Sequence, residues 1–275
     1  MHIRYGFDIA LSLVQPTTIL TLMDVHSEYR GGIVDETELQ LSRAIPAATI
    51  VDRHDNVLRR LSADAGPLSL RLEGVFHTDG REDAVDRTAD AAAVSGLPPE
   101  ALQYLLPSRY CETDLLSDFA WTNFGAIPSG WAKVQAICDF VHERLAFSYA
   151  AARPTRTASE ALAEGVGVCR DFTHLAVALC RCLNIPARYC NGYLGDIGIP
   201  PDASPMDFNA WFEAYLGGRW FTFDPRHNRP RIGRILIARG RDAADIPMIT
   251  TFGSHALTRF TVVTEEVDDA AALAA

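Results

Sequence analysis

No run of about 18 apolar residues occurs anywhere in the 275-residue chain, so no segment is built to cross a bilayer as a helix. Excess positive charge is missing too. The 35 acidic residues stand against 25 basic ones, a formal balance of −10, which argues against nucleic acid and membrane surfaces as partners. The opening residues, Met1 to Asp8, bring in an acid early and lack the apolar stretch of a secretory leader. The expectation is a cytoplasmic protein.

Cysteine is too sparse for a disulfide framework. The six, Cys111, Cys138, Cys169, Cys180, Cys182 and Cys190, read as reduced thiols in a chain of this size. Cys180, Cys182, Cys190 and His174 do not make a convincing zinc site. Zinc sites favour C-x2-C spacing, and Cys180 and Cys182 would point about 200° apart on one helix. No acidic D-x-[DN]-x-[DN]-G loop marks a calcium site. No metal and no cofactor are therefore expected, and there is no internal repeat. With 48% hydrophobic residues the chain can fill a complete core.

Against these absences stands one distinctive stretch, Glu164-Gly165-Val166-Gly167-Val168-Cys169-Arg170-Asp171-Phe172-Thr173-His174. Two glycines permit a tight turn, and Asp171 suits the first turn of the helix that follows. Cys169 then stands at a helix N-terminus, where unpaired N–H groups and the helix dipole favour a thiolate. The expectation is a thiol with a lowered pKa, hence a nucleophile near neutral pH. His174, five residues on, falls about 140° around the axis and reads as structural.

The rest of the chain divides readily. Short alternating runs (residues 3–9, 18–25, 49–52, 57–61 and 68–72) predict antiparallel strands of a sandwich-like module, with Arg53-His54-Asp55-Asn56 as a hairpin turn. Residues 1–80 form this N-terminal β-rich domain and 81–100 a surface linker. Residues 101–267 form a second, helix-and-sheet domain, and 268–275 a frayed tail. Val134, Ile137, Cys138, Val141 and Leu145 make one buried stripe on a helix over residues 129–145. Residues 185–194 read as a strand and 195–205 as a loop. Gly217-Gly218 closes a hairpin whose register sets Asn209 opposite Arg226, with Asp224 diagonal to Asn209. Residues 234–245 read as a strand running into a loop, and 260–267 as a last strand.

Several segments in order resemble the transglutaminase-like superfamily of papain-type cysteine enzymes. They are Thr157 to Leu162, Gly167 to Leu175, Leu183 to Tyr189, Asn191-Gly192-Tyr193, Ala210-Trp211-Phe212-Glu213 and Trp220 to Pro225. The resemblance implies an α+β papain-like core, with a nucleophile helix packed on an antiparallel sheet. It also fits the N-terminal β domain carried by many bacterial members. The family triad is a cysteine, a histidine in a His-Ala-Trp strand and an aspartate before proline. Cys169 and Asp224 match the first and third positions. The second reads Asn209-Ala210-Trp211, and the histidine is absent from its place.

Asparagine cannot take up and return a proton near pH 7. His227, three residues after Asp224 and beyond Pro225, is the candidate substitute base, with Asp224 and Asn209 orienting. Trp211 or Asn209 is the candidate donor to an oxyanion. Arg226, Arg229, Arg231 and Arg234 form a basic cluster able to hold an acidic substrate end. The implied activity is thiol acyl transfer at an amide of a peptide or protein: peptide hydrolysis, or deamidation or cross-linking at glutamine. Two alternatives stay open: a catalytically impaired pseudoenzyme serving as a binding or scaffolding module, and a Cys169 retained only for packing. Oligomeric state is not legible.

Overall fold

The computed structural model describes residues 1–128, 130–201 and 206–268. Seven strands fill the first 77 residues: β1 (His2–Leu13), β2 (Thr17–Thr21), β3 (Ile33–Glu36), β4 (Gln40–Leu41), β5 (Ala47–Val51), β6 (Val57–Ala63) and β7 (Gly66–His77). Helices α1 (Pro99–Leu102), α2 (Thr113–Phe124) and α3 (Trp131–Arg144) follow. After them come β8 (Ala146–Phe147), α4 (Ala158–Glu164), β9 (Val166–Gly167) and α5 (Cys169–Cys182). The remaining strands are β10 (Ala187–Tyr193), β11 (Asn209–Leu216), β12 (Arg219–Phe223), β13 (Ile235–Gly240), β14 (Ile249–Thr251) and β15 (His255–Val267).

In β1 the odd-numbered residues Ile3, Tyr5, Phe7, Ile9, Leu11 and Leu13 are all buried, the period of two that a strand needs to feed one core face. This strand is the spine of a sheet ordered β15-β1-β7-β3, with β4 also on β7. A second sheet is ordered β14-β2-β6-β5, and side chains of both sheets share one apolar cluster.

Strands β14 and β15 correct the expected division at residue 267. They belong by sequence to the second half, yet β14 pairs with β2, and β15 pairs with β1 from His2↔Val267 to Leu13↔His255. The reason is edge satisfaction: β1 and β2 would otherwise each leave a row of backbone groups unpaired. The expected linker is corrected as well. Asp83 accepts from the Arg231 N–H and pairs with Arg234, while Ala89 and Asp90 carbonyls take the N–H groups of Trp131 and Gly217. Residues 81–100 are a strap fastened along the second half. The predicted tail, apart from Asp268, and part of the predicted 195–205 loop lie outside the described residues.

The second half is the papain-like layer. An antiparallel sheet ordered β12-β11-β10-β13 carries α5 against it. Helix α5 is buried from Asp171 through Cys182, so it is the central post rather than an amphipathic surface helix. Cys138, Cys180 and Cys182 pack in its core with the predicted α3 stripe. The opposite apolar cluster runs from the N-terminal sheets onto Tyr189, Tyr193, Ala210 and Ile235, and Cys169 packs against its edge. The nucleophile candidate thus sits where the two cores meet.

Candidate active site

The chain reaches Cys169 through a tightly specified turn. Gly165 ends α4 with φ of 70°, a left-handed value that suits glycine. Gly167 sits so close to Asp171 that an added Cβ would lie 2.6 Å from that residue's own Cβ. The Asp171 carboxylate accepts from the Val168 N–H at 2.9 Å and from Arg156 Nη1 at 2.9 Å, and Arg170 Nη2 donates to its other oxygen at 3.1 Å. Fully buried and bonded on both oxygens, Asp171 pins the first turn of α5. Cys169 is left with its thiol facing a cleft of about 370 Å³, walled in part by Tyr189, Asn191, Asp207, Phe208 and Ala210.

The thiol itself corrects one expectation. Burial pushes its pKa up to about 11, against the pull of the Arg226 guanidinium and of the Ala210 N–H, while Asp207 and Asp224 push it further up. The helix N-terminus alone does not decide the matter: desolvation of an anion outweighs it at this depth. Cys169 is half-buried rather than sealed, so the cleft still admits a reactant.

The hairpin register holds as expected up to Phe212↔Phe223. Beyond the ladder Arg226 still meets Asn209, and its Nη1 donates to Asn209 Oδ1 at 3.1 Å. The guanidinium also lies over the Phe147 ring, 3.8 Å from its centroid. Asn209 Nδ2 is spent on the carbonyls of Leu194 and Asp207. Its amide is therefore saturated and holds Arg226 beside the thiol. An oxyanion-donor role for Asn209 would require breaking one of these bonds.

Pro225 ends the strand, and the chain turns back on itself. Asp224 Oδ1 accepts from the backbone N–H groups of Arg226 and His227, each at 3.1 Å. Its Oδ2 meets His227 Nδ1 at 2.8 Å and Arg234 Nη2 at 2.8 Å. Burial alone would raise the Asp224 pKa; Arg234 and His227 overcome it and hold the carboxyl well below its usual range. Asp224 thus orients His227, not Asn209. Among the described residues His227 makes no hydrogen bond to Cys169. It lines a second cavity of about 360 Å³, which shares Asp207 and Asn209 with the thiol cleft.

Trp211 is placed elsewhere than the oxyanion reading requires. It is buried with Cys190 and Leu236, under the Arg234 guanidinium at 4.9 Å from the ring centroid, and does not line the thiol cleft. Strand alternation sends it to the face opposite Ala210, whose N–H meets the thiol. His174 stacks on Tyr110 with an interplanar angle of 12°, and its Nε2 accepts the Ala243 N–H at 3.1 Å.

Two residues of the site were not singled out from sequence. Asp207 lines both cavities, and its carboxyl is held above the usual range by burial; its only sequence signal is a position two residues before Asn209. Asn191 is 5% exposed and donates through Nδ2 to the Ile246 carbonyl, while its buried Oδ1 has no partner among the described residues and the residue lines the thiol cleft. It lay within the resembling Asn191-Gly192-Tyr193 segment without a chemical reason attached.

Comparison with known proteins follows this geometry. A sequence profile of the transglutaminase-like superfamily matches residues 123–225. The crystal structure of a "Putative Cysteine Protease" from Cytophaga hutchinsonii is similar over 98% of this chain and 91% of its own, with 31% identity and a TM-score of 0.87. An uncharacterised protein of Mycobacterium leprae is 32% identical over 111 residues, 38% of this chain and 39% of its own length. One from Mycobacterium tuberculosis is 35% identical over 98 residues, 32% of this chain and 31% of its own. The matches to these curated relatives therefore span less than two fifths of their lengths. With the nucleophile helix, the hairpin and the near-complete likeness to the Cytophaga structure, the chain belongs to the transglutaminase-like superfamily.

Proposed function

We propose that the protein is a thiol enzyme acting on amide bonds of a peptide or protein substrate. The reaction is peptide hydrolysis, or deamidation or acyl transfer at glutamine, through a thioester on Cys169. The observation that carries this reading is that Cys169 and His227 line two cavities that share Asp207 and Asn209, with His227 bonded from behind by Asp224. Sulfur attacks the amide carbonyl carbon, with the thiol proton passing to the His227 imidazole. The C–N bond then breaks, and the imidazolium returns the proton to the departing amine. Water, or a second amine, cleaves the thioester and regenerates the thiol.

Three features of this chain support the assignment. Arg226, held by Asn209, is a fixed cation beside the sulfur and favours its anion. The Ala210 N–H faces the sulfur, and the N–H of Cys169, at the first helical position, has no intrahelical acceptor, so both suit a developing oxyanion. The unfilled Asn191 Oδ1 offers an acceptor for a substrate N–H. The six unpaired cysteines support a cytoplasmic setting.

One observation favours the second reading, a silent binding or scaffolding module: the thiol is raised to about 11 and has no imidazole bonded to it. Intact-mass measurement after mixing with a glutamine-containing peptide, or with an activated acyl ester, separates the two. A covalent acyl adduct on wild type, absent from Cys169→Ala and slowed in His227→Ala, supports the enzyme. No adduct and no amide turnover across pH 6 to 10 sinks it.

A further inference from the structure

We propose that the cavity beside the thiol cleft is a carboxylate subsite, selecting amide substrates that carry a carboxylate close to the reacting bond. Arg226, Arg229, Arg231 and His227 line this cavity of about 360 Å³, with Asp196 and Asp207 as its carboxyls. Of the four arginines in the local basic cluster, Arg234 is occupied, paired with Asp83 and Asp224. The other three converge here.

Arg231 is the informative one. It is 3% exposed, yet its Nε and Nη1 have no hydrogen-bond partner among the described residues. Its Nη2 donates to the Gly195 carbonyl at 2.7 Å and stands 3.9 Å from Asp196, the outer limit of an ion pair. A guanidinium taken out of water with donors unfilled is costly, and an anionic acceptor removes that cost. Arg229, exposed at the rim, adds a second positive group that has no ion-pair partner among the described residues. Arginine suits this task because its planar fork matches a carboxylate. Asp207 and Asn209 are common to both cavities, so a ligand seated among the arginines borders the thiol cleft. The proposal rests on the amide-acting reading only for what the rest of the ligand is.

The carboxylate has two sources, a free chain terminus or an acidic side chain, and two peptide pairs distinguish them. Ac-Ala-Gln-Gly-OH is compared with Ac-Ala-Gln-Gly-NH2, and Ac-Ala-Gln-Glu-Gly-NH2 with Ac-Ala-Gln-Gln-Gly-NH2, by calorimetric titration into the full chain carrying Cys169→Ala, where no turnover interferes. The acidic member of one pair should bind about tenfold tighter, the scale of a charge-assisted hydrogen bond. R229Q in the same background should remove most of that preference and leave the neutral peptide unchanged. Preference for the terminal acid assigns a chain end; preference for the glutamate peptide assigns a side chain. Equal affinities within each pair, an equal loss for both members in R229Q, or no binding of any of the four overturns the subsite. Acid-selective binding by a protein whose Cys169 never acylates would leave the subsite standing and remove the thioester chemistry.

Discussion

Arg226 reaches across the end of the β11–β12 hairpin to Asn209, Nη1 to Oδ1 at 3.1 Å, and the pair stands beside the Cys169 thiol. In the family pattern this strand position is a histidine that handles the proton. Here an amide fixes a permanent cation instead, so in the proposed reaction stabilising the thiolate and moving its proton fall to different residues.

Removing that cation makes the first prediction. Burial already sets the thiol high and Arg226 pulls it down, so Arg226→Gln should raise the thiol pKa further. Peptide-resolved iodoacetamide labelling of Cys169 should be slow at pH 7 in wild type and climb through alkaline pH. The Arg226→Gln curve should move to still higher pH, with labelling at pH 8 about threefold to tenfold slower. An unmoved curve would show that the guanidinium does not act on the sulfur.

His227 carries proton transfer in the proposed reaction, and general acid–base groups contribute about a hundredfold or more. His227→Ala should lower kcat by at least that factor, with some loss of thermal stability as well, because the ring bonds the buried Asp224 carboxylate. A variant with unchanged kcat moves the proton to Asp207, which Asp207→Asn tests by the same assay.

Asp224 is buried, ion-paired with Arg234 and hydrogen-bonded to His227. Removing one member of such a network leaves the others uncompensated, which costs about 3–5 kcal/mol. Asp224→Asn should therefore unfold at markedly lower denaturant. Its depressed folded pKa means that the stabilisation is complete above the ordinary carboxylate value of about 3.9 and is lost as pH falls below it toward the folded value. The acid limb of stability should flatten in Asp224→Asn.

His174 and His26 are buried, and burial holds both below the usual imidazole pKa. Each is neutral in the fold. His26 Nδ1 accepts the Glu28 N–H, and its Nε2 contacts the His54 carbonyl. The unfolded chain binds protons at these sites from about pH 6.5 downward, so their contribution is present above that pH and lost below it. Melting temperatures measured from pH 7.5 to 5 should fall for wild type and fall less for His174→Gln.

Asn191 gives a kinetic signature separable from proton transfer. Asn191→Leu removes an unfilled buried acceptor as well as the bond to the Ile246 carbonyl. KM for an amide peptide should rise about tenfold with kcat within a factor of three. A fall in kcat alone would mean that Asn191 does not hold the substrate.

Much of this was written locally. The Gly165 and Gly167 turn, the Asp171 first turn, the α3 stripe and the Gly217-Gly218 hairpin depend on contacts within a few residues, where φ preferences, capping and period-two or 3.6 patterns act directly. The hairpin register by itself sets Arg226 opposite Asn209. The helix start marked Cys169, while the resemblance to the family triad singled out Asp224 and, through the missing histidine, His227.

What only the tertiary structure decided are quantities summed over neighbours distant in the chain. The return of β14 and β15 to β2 and β1 pairs residues some 230 to 265 positions apart, and nothing local in either strand names its partner. The fastening of the 81–100 strap, the removal of Trp211 from the cleft and the turn of His227 onto Asp224 follow from strand alternation closed by long-range ion pairs. The thiol's high pKa has the same origin. A helix N-terminus is visible in one short stretch, whereas desolvation depends on walls supplied by β10, β11 and the residues flanking them, and at Cys169 the walls prevail.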